Sequence, residues 1–318
     1  MEKRKLGNTD LHIYPVAFGG NVFGWTLDEK KSFEILDAFT EAGFNFIDTA
    51  DVYSRWAPGN VGGESERIIG KWMKEKKNRH NIVLTTKVGS DMGDGKKGLK
   101  KQYILKAIED SLQRLKTDYL DLYQTHFDDV ETPVEETLEA YAQLQKDGKI
   151  RWIGTSNMSP ERILASLEAS AAKGLPRYET LQPHYNLYAR EKFETEYESL
   201  ALENGLGVIT YFSLESGFLT GKYRTKEDLW KSPRGGDMDK YFDERGLKIL
   251  AALDEISSQY KSTPAAVSLA WLIQRPSVTA PIVSATSKSQ LGSIIQAPEL
   301  NLDAEAIRFL DKASAWQL

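Results

Sequence analysis

The chain contains no cysteine. Disulfide frameworks, thiolate zinc sites and cysteine nucleophiles are therefore excluded. Its four histidines, at 12, 80, 126 and 184, include no helical pair at ligand spacing, so no metal site is expected. No apolar run approaches membrane-spanning length, and the opening MEKRKLGNTD lacks the apolar core of a secretion signal. The expectation is a cytoplasmic protein with no membrane partner. A net charge of -5 argues against a phosphate-backbone binder, so no nucleic-acid partner is expected either. Also missing is G-x-G-x-x-G, the glycine fingerprint of doubly wound dinucleotide folds.

What is present is ordinary globular material, 41% hydrophobic and 27% charged, enough for a sizeable core. In YILKAIEDSLQRL, Ile104, Ile108, Leu112 and Leu115 fall on one helical face. PVEETLEAYAQLQKDG reads as a helix opened by Pro133 and closed at Gly148. Four joints, EAGFNFID, KDGKIRWIG, AAKGLPRYETLQ and ENGLGVITY, pass from a helical pattern through glycine into a short apolar strand. With PVAFGG, NIVLTTK, YLDLYQTH and TAPIVSA they give roughly eight strands alternating with helices. The closed form of that pattern is a (β/α)8 barrel, expected as a single domain over residues 1–318. RKLGNTDLHI predicts a hairpin that plugs the barrel bottom, and polar, glycine-rich residues 225–246 predict a long loop on the opposite face.

Chemistry in such a barrel belongs at the C-terminal strand ends. Those ends carry Asp48, Lys87, His126, Ser156 with Asn157, Gln182 and Tyr211, and Tyr53 follows Asp48 by five residues. Singly, each has a bland reading as a cap, a packed ring or a solvated charge. Together Asp48, Tyr53, Lys87 and His126 suit carbonyl reduction by hydride. A tyrosine is a weak acid unless an ammonium favours its phenolate, which Lys87 would do while Asp48 holds Lys87 charged. His126 would donate to the carbonyl oxygen or fix the substrate. For a dinucleotide, YFSLESGFLTGKY offers Gly217 and Gly221 for close backbone approach and Lys222 for phosphate. PIVSATSKSQL offers a helix start rich in small hydroxyl residues, although plain capping explains it equally. Phe23, Trp25 and Trp56 suggest an aromatic mouth around a small carbonyl substrate.

The ordered segments FIDTADVYS, GGESERIIGKW, TTKVG, DYLDLYQTH, GKIRWIGTSN, LQPHYNLYAR and YFSLESGFLTGKY resemble the aldo-keto reductase family over nearly the whole chain. The resemblance implies a barrel that binds NADPH across its top, with Asp48, Tyr53, Lys87 and His126 as the catalytic tetrad and Tyr53 as general acid. It places the nicotinamide carboxamide on Ser156, Asn157 and Gln182, and the ring on Tyr211. The pyrophosphate would lie along Ser213, Leu214, Gly217, Leu219, Gly221 and Lys222. Two departures stand out. Relatives commonly read YSPL where this chain has YFSL, and PGA plus a basic residue where it has Ser284, Ala285, Thr286 and Ser287. The expected 2′-phosphate readers are therefore Ser287, Lys288 and Gln290, with NADH left open as the alternative cofactor.

Two rival readings remain at this level. The same fold and cofactor site resemble channel β-subunits, in which a bound dinucleotide would act as a redox sensor. Alternatively, Lys87 would form a Schiff base in an isomerase or aldolase. The reductase is expected as a monomer or weak homo-oligomer.

Overall fold

A computed structural model describes residues 2–232 and 235–316. Strands β1 (Arg4–Lys5) and β2 (His12–Ile13) form an antiparallel hairpin. Eight parallel strands then close a barrel: β3 (Ala17–Gly19), β4 (Phe46–Asp48), β5 (Val83–Val88), β6 (Leu120–Thr125), β7 (Ile150–Ser156), β8 (Tyr178–Gln182), β9 (Gly207–Thr210) and β10 (Val278–Val283). β10 pairs with both β9 and β3, so no edge is left open.

Helices α1 (Glu29–Glu41), α2 (Glu64–Lys76), α3 (Lys101–Leu115), α4 (Val134–Lys146), α5 (Pro160–Lys173), α6 (Glu198–Glu203), α7 (Glu244–Gln259), α8 (Pro264–Ile273), α9 (Lys288–Gln296) and α10 (Ala304–Ala313) accompany these strands. Ile104, Ile108, Leu112 and Leu115 of α3 are all buried, as their spacing requires. The glycines at the four expected joints, 43, 148, 174 and 205, all have φ between 62° and 95°, a conformation that reverses the chain after a helix at no Cβ cost. Pro133 caps α4 from outside its first turn rather than within it.

Every residue of β4, β5, β6, β8 and β9 is buried, because helices cover one face and the barrel interior the other. Phe46, Val83, Leu122, Ile209 and Ala280 fill that interior, and Leu6, Leu11 and Ile13 of the hairpin segment join them from below. The bottom is plugged with hydrocarbon. The period-2 alternation then carries Asp48, Lys87 and Gln124 to the inward face above Phe46, Val83 and Leu122. Register places Asp48 beside Thr85 and Lys87 beside Gln124. The expected long loop is a series of short 3-10 turns, although its last residues, 244–246, already belong to α7.

Candidate active site

The inward strand ends bring the four expected catalytic side chains together. Lys87 Nζ donates to Asp48 Oδ1 at 2.6 Å, to Thr49 O at 2.8 Å and to Tyr53 Oη at 2.8 Å. Both Lys87 and Asp48 side chains are 0% exposed. Burial lowers the ammonium's pKa by more than the neighbouring Asp48 charge raises it. Three acceptors around one nitrogen oppose that loss, and in the protonated form they occupy its three donors, leaving no lone pair for Schiff-base chemistry. Lys87 is the penultimate residue of β5 rather than its last, since pairing with β6 continues through Val88.

His126 continues the inward series Leu122, Gln124, His126 just past β6. Its Nδ1 lies 2.8 Å from Ser90 Oγ, and its ring meets the Tyr53 ring edge to face at 5.9 Å. Burial, aided by the Lys87 charge, pushes the imidazole's pKa well below its ordinary value. His126 is therefore neutral at physiological pH. The contact with Ser90 suits either neutral tautomer, and the one in which Ser90 donates to Nδ1 carries its proton on Nε2.

Asp48 has further support. Its Oδ2 accepts from Gln182 Nε2 at 3.0 Å and Gln124 Nε2 at 3.4 Å. Gln182 thus turns its amide onto the tetrad carboxylate, a contact its strand-end position did not foretell. Gln124 was missed, although it sits two residues before His126 on the same face. Beside the tetrad, Asp51 is 2% exposed and its Oδ1 has no hydrogen-bond partner. Burial, with the Glu66 charge next, pushes its pKa up to about 8. Glu66, also fully buried, is satisfied by Thr86 Oγ1 and Arg114 Nε, both at 2.6 Å.

The residues expected to hold a nicotinamide form a chain across the β7–β9 rim. Ser156 Oγ donates to Gln182 O at 2.8 Å, and Asn157 Nδ2 donates to His126 O at 2.9 Å. Tyr211 Oη donates to Asn157 Oδ1 at 3.1 Å. Beyond Tyr211 the backbone is left-handed at Phe212 (φ 50°), Glu215 (45°), Ser216 (54°) and Gly217 (100°). Ser213 Oγ ties this loop to Thr210 O at 3.0 Å. A Cβ on Gly217 would lie 2.9 Å from Lys222 Cε and Nζ, so glycine leaves the room in which the lysine folds over the loop. Gly221, at φ 72°, closes the segment. The Leu219 side chain is 0% exposed and that of Leu214 packs partly against the core, leaving their backbone for any ligand contact. These features fit a polyphosphate better than a neutral ligand.

In the second stretch, Ser284 Oγ donates to Gly19 O at 2.6 Å, and Ala285 is buried. Ser287 caps α9 by accepting from Gln290 N at 3.2 Å, while Gln290 Oε1 accepts from Thr286 N at 2.8 Å. Lys288 is exposed at the first turn.

The mouth differs from expectation in one residue. Phe23 is 0% exposed and stacks on Phe18 at 5.4 Å, so it belongs to the core and not to a pocket wall. Trp25 meets Trp56 at 5.7 Å, Trp56 meets Tyr53 at 6.0 Å, and His126 meets Phe127 at 4.9 Å. The result is an aromatic strip with Tyr53 and His126 at its centre. Phe127, 47% exposed, was missed because its only signal is adjacency to His126. A cavity of about 510 Å³ opens beside Tyr211, lined among others by Asn157, Gln182, His184 and Glu215. Another of about 440 Å³ lies at the barrel bottom by Arg4 and Arg275, far from this chemistry. Among the described residues no acidic, His or Cys cluster could hold a metal, and no helix is long and apolar enough to cross a membrane.

The Bacillus subtilis uncharacterized oxidoreductase YrpG is 33% identical over 318 residues, covering 98% of this chain and 95% of that protein. The B. subtilis aldo-keto reductase YhdN is 32% identical over 317 residues, covering 96% and 91%. A probable voltage-gated potassium channel subunit beta from Arabidopsis thaliana is 32% identical over 307 residues, covering 94% and 92%. The model of the aldo/keto reductase family matches residues 15–315. A closed barrel, an Asp-Tyr-Lys-His cluster at its rim and a family match along nearly its whole length show that the chain belongs to the aldo/keto reductase family of oxidoreductases.

Proposed function

We propose that the protein reduces aldehydes or ketones to alcohols, reversibly, with NADPH as cofactor and Tyr53 as the proton donor. The observation that carries this reading is the Lys87 ammonium, 2.8 Å from Tyr53 Oη and 2.6 Å from Asp48 in a buried site. Ser156, Asn157, Gln182 and Tyr211 would hold the nicotinamide half of the cofactor, and Ser213 to Lys222 its pyrophosphate. When bound, the cofactor supplies the hydride. The protein's own task is the proton. Lys87 stabilises phenolate over phenol, so Tyr53 gives its proton to the carbonyl oxygen at lower cost. Neutral His126 donates from Nε2 to the same oxygen and orients it. Asp48, held by Gln124 and Gln182, keeps Lys87 in place.

In favour of NADPH over NADH stand Lys288, Ser287 and Gln290 at the exposed start of α9, where a 2′-phosphate would meet a cation. Trp25, Trp56 and Phe127 favour an apolar or aromatic carbonyl substrate. Tyr53→Phe is expected to lower kcat about a hundred- to ten-thousand-fold while leaving the NADPH Kd unchanged. Wild-type turnover in that variant would overturn the role.

A second reading, a dinucleotide-binding redox sensor for a partner, has the channel-subunit relative in its favour. It requires cofactor binding without multiple turnover. Steady-state oxidation of NADPH by a panel of aromatic and aliphatic aldehydes separates the two.

A further inference from the structure

The Tyr211 ring has one face already filled. The His184 imidazole lies against it, ring centroids 5.3 Å apart and planes within 18°. The two residues also pair as a parallel bridge that extends β8 and β9. His184 is two residues beyond Gln182, so it continues the same inward series.

The imidazole is held by its other edge. His184 Nε2 lies 2.7 Å from Glu215 Oε2. Glu215 is 3% exposed and also accepts from Asn186 Nδ2 and from Tyr241 Oη, the latter on the long loop. Asn186 is fixed in turn: its Nδ2 donates to Phe212 O at 2.9 Å and its Oδ1 accepts from Tyr188 N at 2.7 Å. Burial would raise the Glu215 carboxyl's pKa, but the bonds from His184, Tyr241 and Asn186 outweigh it and hold the group below the ordinary carboxylate range. A buried carboxylate at φ 45° carries both a desolvation and a backbone cost. Neither the proton transfer nor the phosphate cradle uses it.

We propose that His184, anchored by Glu215, is a positioning residue for the Tyr211 platform and fixes the plane against which a nicotinamide lies. This rests on the cofactor reading above. Tyr211 is then clamped by its hydroxyl through Asn157 and by its rear face through His184. The pair acts on the nicotinamide half of a dinucleotide and leaves the adenosine half untouched.

The test compares NADPH with 2′-phospho-ADP-ribose, which lacks only the nicotinamide, by calorimetric titration of the intact protein. His184→Ala is expected to weaken NADPH about three- to ten-fold, the range of an aromatic stack, and to leave 2′-phospho-ADP-ribose unchanged. His184→Phe restores the stack and most of the NADPH affinity. Glu215→Gln, which keeps the side chain's shape, gives a smaller loss confined to NADPH and serves should His184→Ala fail to fold. Equal losses for both ligands, or none for either, overturn the proposal while leaving the cofactor reading intact. A wild-type protein that binds neither ligand overturns both.

Discussion

The two halves of the barrel rim are built on different principles. On the β4–β6 side, the functional groups sit on or just beyond strands: Asp48, Lys87 and Gln124 are placed by register and by inward alternation, and all are fully buried. On the β9 side, the groups sit on a segment whose backbone is left-handed at Phe212, Glu215, Ser216, Gly217 and Gly221 and is held by side-chain hydrogen bonds. Strand placement gives the sub-ångström precision that proton transfer demands. Loop placement gives the concave backbone that an extended anionic ligand demands. Damage to the first half should therefore appear in turnover, and damage to the second in cofactor affinity.

The largest effect expected is on the strand side. Lys87→Met removes the ammonium that serves Tyr53 and leaves Asp48 buried without its countercharge. Turnover should fall about a hundred- to ten-thousand-fold. Stability should fall by about 3–5 kcal/mol, read from the urea midpoint. A variant with near-normal kcat would break the assignment of chemistry to the strands.

Next in size is a pH effect from the same dry half. Asp51 has a folded-state pKa of about 8, raised above its unfolded value near 4 by burial and the Glu66 charge. For a raised acid, the folded state holds the proton more tightly. Its stabilising contribution is complete below pH 4 and is lost as pH rises toward 8. Between pH 5 and 7 this one group costs about 1.4 kcal/mol of stability per pH unit. Asp51→Asn should remove that slope, so its stability relative to wild type rises with pH. Urea unfolding at pH 5, 6 and 7 checks this, and parallel curves would show that Asp51 is ionised at all three.

The contrast between the halves also explains what the sequence made legible. All eight barrel strands, the hairpin plug and the glycine joints could be read because each rests on local pattern: apolar runs, turn chemistry and left-handed caps. That Asp48, Tyr53, Lys87 and His126 meet could be read because each lies at or just past the end of such a run. Gln124 escaped notice, although the period-2 rule that reaches from Leu122 to His126 passes through it. Phe23 was misread because adjacency to a strand end does not say which way a ring points; stacking on Phe18 decided that. Asp51 and Glu215 owe their burial, and His184 its placement, to contacts between segments distant in sequence, such as His184 with Glu215 and Glu215 with Tyr241. No window of the sequence contains those contacts.

The smallest effect sharpens the loop side. Gly217 has φ 100°, where an alanine is strained, and its Cβ would meet Lys222 Cε and Nζ at 2.9 Å. Lys222 is a flexible side chain and can withdraw, so the steric part is modest. The backbone part is not relieved by such a movement and costs about 1–2 kcal/mol. If that strain is met by letting the segment leave its ligand-ready shape, Gly217→Ala should raise the NADPH Kd about five- to thirty-fold. At saturating NADPH its kcat should stay near wild type, because Lys87, Tyr53 and Asp48 are held by β4, β5 and the turn after β4, which do not include this loop. A fall in kcat at saturation with an unchanged Kd would mean that the two halves share one structural determinant, and the division between strand-held chemistry and loop-held binding would fail.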